Sequence, residues 1–166
     1  MTEMLDQFAT WLAALPPSEM MRNSTALWPI LETLHFIGLA MLVGVAGFFD
    51  MRLLGLFRRV PVEAVKQFMP FAMIGFAINL VTGVGFFMMY PSQYISSIAW
   101  WMKVLFLVVA GANALVFEMV SPERLATLQP GEDSPGVFKV IGSVSLVAWF
   151  LVLYFGRMLP FLGNAY

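Results

Sequence analysis

The chain has no cysteine and a single histidine, His35. The first absence removes disulfides, thiolate metal sites and thiol nucleophiles. The second removes any site built from two imidazoles. Charge is scarce as well: Asp, Glu, Lys and Arg make up 11% of the 166 residues, and the net charge is −1. With no basic excess, nucleic acid is not an expected partner. No phosphate loop, dinucleotide fingerprint or HExxH stretch is present, nor any internal repeat or low-complexity tract. What remains is apolar: 60% of the residues are hydrophobic and the mean hydropathy is +0.83. A soluble domain of this length could not hide that much apolar surface.

The apolar residues come in four runs, each near the roughly 20 helical residues that cross a bilayer. They cover about 28–50, 68–90, 98–118 and 137–159. The one long polar loop, SPERLATLQPGEDSPG, separates the last two. The expected fold is all-α, an integral membrane four-helix bundle over 27–166 preceded by a surface segment, 1–26. In that segment Met4, Leu5, Phe8, Trp11, Leu12 and Leu15 recur at helical spacing, with Glu3, Asp6 and Gln7 on another arc. This predicts an amphipathic helix over about 4–15, lying at the membrane interface and ended by Pro16-Pro17. The acidic start argues against a signal peptide.

Lysine and arginine set the expected orientation. Arg52, Arg58, Arg59, Lys66, Arg124 and Lys139, six of the nine, fall at one end of the bundle, and Arg22, Lys103 and Arg157 at the other. The basic end is expected to be cytoplasmic, which puts both termini outside. Trp28, Tyr90, Tyr94, Trp100 and Trp101 then form an aromatic belt at the outer surface.

Charged or ionisable side chains within a span are costly and face partners inside the bundle. His35 lies about seven residues into the first span, roughly 10 Å deep at 1.5 Å per residue. Lys103 enters the third span to nearly the same depth, and Arg157 sits near the outer end of the fourth. Glu32 is one turn before His35 on the same helix face. One reading makes His35 a ligand with a polar surround; the other makes it a packing histidine bonded to Glu32. The residues alone leave both open. Asp50, Arg52 and Glu118 are expected in the interface at the inner end. Gly75, Asn79 and Gly83, and Ala110 and Ala114 with Asn113 close by, mark faces for close helix packing. Eight of the 13 methionines map to the outer side: Met1, Met4, Met20, Met21, Met88, Met89, Met102 and Met158. They offer soft thioethers for Cu(I), or simply flexible apolar filling.

The stretch LETLHFIGLAMLVGVAGFFDMRLLGL resembles a group of small uncharacterised bacterial membrane proteins whose first span carries L-H-F-x-G and ends in D-x-R-L-L-G. Over residues 28–160 the chain is distantly similar to the four-helix core of HemJ-type protoporphyrinogen oxidases and of the CopD copper-resistance membrane domain. The positions that carry the HemJ-type likeness are Leu34-His35, Arg52, and Trp100 or Trp101 with Lys103. That resemblance implies a haem b or porphyrin site, with His35 as a ligand or porphyrin contact and Lys103 in the same site; by their depth along the spans, Glu32 and Arg157 are expected to share the outer half of the bundle with them and to complete the site. It also implies a redox or electron-transfer role in a bacterial inner membrane. The CopD likeness implies copper handling or transport. A third expectation is a non-catalytic scaffold or accessory subunit, a homo-oligomer or part of a larger membrane complex in the lipid bilayer. The sequence does not decide whether the protein is an enzyme.

Overall fold

The computed structural model describes residues 2–120, 125, 128, 129 and 131–162. Arg124 and much of the long polar loop lie outside them. The described residues form helices and no strand: α1 (Thr2–Ala13), α2 (Pro16–Asn23), α3 (Leu27–Leu53), α4 (Val62–Lys66), α5 (Met69–Met89), α6 (Pro91–Ser96), α7 (Ile98–Met119) and α8 (Gly136–Met158). The fold is an all-α four-helix bundle of α3, α5, α7 and α8. All four are long and apolar enough to cross a membrane, α5 together with α4 before it. The chain is a multi-pass membrane protein.

Proline opens several of these helices. Pro16-Pro17, read from sequence as a stop, closes α1 and also occupies the first turn of α2. Pro70 and Pro91 do the same for α5 and α6. A proline in the first turn loses nothing, because its missing N–H would have had no helical partner. The N-terminal segment is therefore a pair of helices rather than one.

The four long helices pair as two hairpins, α3 with α5 and α7 with α8, joined chiefly through α3 and α8. Glycine sets the first pairing. A Cβ on Gly75 would lie 2.5 Å from the Gly38 carbonyl oxygen, and one on Gly38 would lie 2.8 Å from the Gly75 carbonyl oxygen. Only bare backbones can cross that closely. The hairpins meet nearer the basic end. There a Cβ on Gly142 of α8 would lie 2.9 Å from the Asp50 carbonyl oxygen of α3, and one on Gly47 would touch Leu146. The buried core lies at this end too: Phe49, Leu53, Val62, Val65, Leu125, Phe138 and Ile141, with Phe117 set edge-on to both Phe49 and Phe138. By contrast, α7 buries only Ala99 and Ala110.

The D-x-R-L-L-G stretch builds the basic end. Gly55, at φ +89°, takes the left-handed conformation that stops α3. The Leu56 N–H bonds the Met51 carbonyl at 3.0 Å and the Gly55 N–H bonds the Arg52 carbonyl at 3.1 Å, the paired bonds of a Schellman cap. Asp50 and Arg52, expected in the interface, are instead buried, at 4% and 0% exposure. Arg52 faces loop backbone rather than water. Its Nε donates to the Val60 carbonyl at 2.8 Å and its other nitrogens to Ser134 Oγ at 3.3 Å and the Glu132 carbonyl at 3.5 Å. One guanidinium thus ties the connection after α3 to the one before α8. Outside it, Asp133 pairs with Lys139 at 2.6 Å and Arg58 at 3.1 Å. Glu118 is exposed.

Candidate functional site

At the opposite end of the bundle, His35 of α3 is half-buried against α5. Its Nδ1 lies 2.7 Å from Thr82 Oγ1. Thr82 is itself buried, and its hydroxyl donates back to the Ile78 carbonyl at 2.7 Å, with the Asn79 carbonyl at 3.3 Å. A hydroxyl has one proton, and carbonyls can only accept it. With that proton directed to the Ile78 carbonyl, Thr82 Oγ1 accepts from His35, an arrangement in which the neutral ring carries its proton on Nδ1 and its lone pair on Nε2. Among the described residues Nε2 makes no hydrogen bond, and it is not one of the enclosed unpartnered atoms. It is therefore not fully enclosed by the described residues.

Aromatic side chains brace the ring. Phe86 stands edge-on to it with centroids 5.6 Å apart, and Trp28 and Tyr90 continue the contact toward the bundle end at 4.9 and 5.9 Å. A Cβ added at Gly83 would stand 4.0 Å from His35 Cε1, so the helix face beside the ring is bare. Lys103 approaches from α7. Its Nζ and Cε pass 3.7 Å from the Cβ position of Gly156 on α8, and its ammonium is near enough for its charge to act on the His35 ring. Among the described residues it has no hydrogen bond and no ion pair. His35 and Lys103, matched in depth by the sequence, thus belong to one region.

The other two candidate residues stand apart. Glu32 is exposed and makes no hydrogen bond to His35, whose partner is Thr82. The packing pair expected from the three-residue spacing does not form. Arg157 is exposed and lies 5.6 Å over the Phe161 ring. Thr82 and Phe86 were not read from sequence. A signal for Thr82 exists: it lies seven residues from the end of α5, as His35 lies seven from Trp28, and antiparallel neighbours at equal depth can meet.

The small-residue stripe on α5 serves the fold. Gly75 and Asn79 are used against α3, and Gly83 faces His35. The outer methionines do not share one environment: Met4 and Met20 are exposed and Met89 is buried, while Met1 lies outside the described residues. Among the described residues no three His, Asp or Glu side chains gather as a metal site.

The N-terminal helices are fixed over this end. Arg22 of α2 donates to the Ala13 carbonyl at the end of α1 (2.6 Å) and to the Met89 carbonyl at the end of α5 (3.1 Å). Ser18 Oγ donates to the Leu12 carbonyl at 2.7 Å. Ala9 and Leu12 face inward, while Met4, Phe8 and Trp11 are exposed on the other side of α1. Tyr94, in α6 beneath them, has its phenol pushed up to about 12 by burial and by neighbouring Tyr90.

Compared with protein-family models, curated proteins and solved structures, the chain matches none of them.

Proposed function

We propose that this membrane protein binds haem b, or a related porphyrin, beside His35 at the N-terminal end of the bundle, and serves a redox or electron-transfer role in a bacterial inner membrane. The observation that carries the reading is the 2.7 Å contact between His35 Nδ1 and Thr82 Oγ1. A ligating imidazole needs its other nitrogen held by a neighbour and its lone pair free, and Thr82 with Nε2 meets both requirements.

The residues present fit such a group on one side. His35 would hold the group through its ring nitrogen, and Phe86 and Trp28 would keep water from the imidazole. Lys103 would offer a cation to a porphyrin carboxylate, and bare Gly83 and Gly156 leave backbone where a flat ring could approach. Haem, when bound, supplies a one-electron couple at its iron. This chain has no second imidazole, so bis-histidine ligation within one copy is excluded. The similarity to HemJ-type proteins at Leu34-His35 and Lys103 supports the same assignment, and the six-to-three distribution of basic residues supports an outward-facing site.

The test is the absorption spectrum of protein purified in mild detergent, before and after titration with haem. A Soret band is expected, lost in His35→Ala with the fold retained. In Thr82→Val, which removes the acceptor at equal size, affinity should fall about 10- to 100-fold. Folded wild-type protein that stays colourless and takes up no haem overturns the proposal.

One observation favours a second reading, an oligomeric scaffold or accessory subunit. On α7, Gly111, Ala112 and Ala114 are exposed, and a Cβ at Gly111 would meet nothing within 4 Å. Such a face lets another helix come close. Native mass spectrometry that finds only monomer counts against it.

A further inference from the structure

We propose that Asp50 is a proton-binding site within the bundle, at the seam where the two hairpins meet. It is independent of the haem reading and lies at the other end of α3.

The carboxyl is enclosed at 4% exposure, and its Oδ2 has no hydrogen-bond partner among the described residues. Among the described residues, the elements packed around it bring no free cation. On α8, Ser145 stands beside the carboxyl, and Gly142 presses on the Asp50 backbone. The α8 lysine, Lys139, is paired with Asp133, as is Arg58 from the connecting loop. On α3 itself, Arg52 directs its donors to Val60, Ser134 and Glu132. On α7, Asn113 donates to the Ile141 carbonyl, and Glu118 is exposed. Glu63 and Lys66 of α4 are exposed, and α5 carries no charged residue.

A carboxylate enclosed among apolar helices without a cation is strongly unfavourable. Something positive must meet it. A metal cation requires about six oxygen ligands, and the side chains at this seam offer one carboxyl and one hydroxyl. A proton needs a single oxygen. The side chains described at the seam can complete its coordination. Asp50 also lies three residues before the end of α3, about 5 Å along the axis, so the site exchanges with the aqueous phase at the basic end.

Infrared spectroscopy of the protein in lipid bilayers reads this directly. The acid form of a carboxyl has a C=O stretch that the carboxylate lacks and that shifts in heavy water. The chain has three aspartates, Asp6, Asp50 and Asp133. Between about pH 6 and 8, above the ordinary carboxylate range, wild-type protein carrying carboxyl-13C aspartate should show one isotope-sensitive acid band that changes with pH. Asp50→Asn should abolish it, Ser145→Ala should move its frequency, and Asp133→Asn should leave it in place. Should Asp50→Asn not fold, the isotope shift and the Ser145→Ala displacement still assign the band. An acid band that survives in folded Asp50→Asn overturns the proposal. So does a wild-type spectrum without an aspartic-acid band in that pH range, or a band governed by sodium concentration rather than pH.

Discussion

Replacing Gly75 with alanine puts a methyl group into the α3–α5 crossing. Its carbon would lie 2.5 Å from the Gly38 carbonyl oxygen, 2.8 Å from the Leu42 amide nitrogen and 2.9 Å from Met41 Cβ. Two of these neighbours are backbone and cannot rotate away. Contact becomes comfortable near 3.5 Å, so the helices must part by roughly 1 Å. Forcing one carbon into packed structure costs about 1–3 kcal/mol. The same displacement reaches the site. Thr82 is two turns from Gly75, and its bond to His35 is 2.7 Å long. Adding roughly 1 Å takes it past hydrogen-bonding distance. Gly75→Ala should therefore lower the unfolding free energy in mixed micelles and also remove the His35 Nδ1–H bond, seen as a changed imidazole 15N shift. Gly111→Ala is the control: with open space around it, it should leave the histidine signal untouched and add about 0.5–1 kcal/mol through helix propensity. If Gly75→Ala unfolds like the wild type and keeps its histidine signal, the account of the crossing is wrong.

Further outcomes follow from other contacts. Arg52→Met should destabilise by about 2–4 kcal/mol, since one short charged hydrogen bond and two long ones are lost and the Val60 carbonyl is left without its donor; an unchanged denaturation midpoint would refute this. Arg22→Met should free α1 and α2 from the end of α5, raising amide exchange in 2–23 while the four long helices keep their protection. The Lys139 hydrogen bond, helped by Arg58, holds the Asp133 carboxyl below the usual carboxylate range. Its contribution is present above the ordinary range and lost as pH falls through its lowered value, so Asp133→Asn should flatten the acid side of a stability–pH curve. The change should be small, because the group is exposed and salt screens it.

The four spans were legible because a bilayer dictates apolar runs of a set length. Helices α3, α5, α7 and α8 match the expected runs to within three residues at every end. The largest difference is at α3, which reaches Leu53 rather than 50. Its end is fixed by the Gly55 cap, which a hydropathy pattern does not register. Arg52 was misplaced for a related reason. Near the end of a span an arginine reads as interfacial, but here two connecting loops wrap over it with their carbonyls and Ser134 turned inward.

The site was half legible. Depth along a span is readable from sequence, and it brought His35 and Lys103 to one level. Rotation is not readable from polarity, because a span apolar on every side has no wet face to point outward. Spacing therefore nominated Glu32 as the partner of His35, when the partner is decided by which helix crosses α3. That crossing is set by Gly38 and Gly75, whose backbones touch. Once their contact is given, the rest follows by counting. His35 is three residues before Gly38, and Thr82 is seven after Gly75 on an antiparallel helix, so both lie toward the same end of the bundle on helices in direct contact. Helix α3 thus carries its own rotational signal in glycine rather than in charge. It turns His35 to α5 at one end and presents Asp50 to α8 at the other, and both outcomes depend on close backbone approaches, at Gly75 and at Gly142.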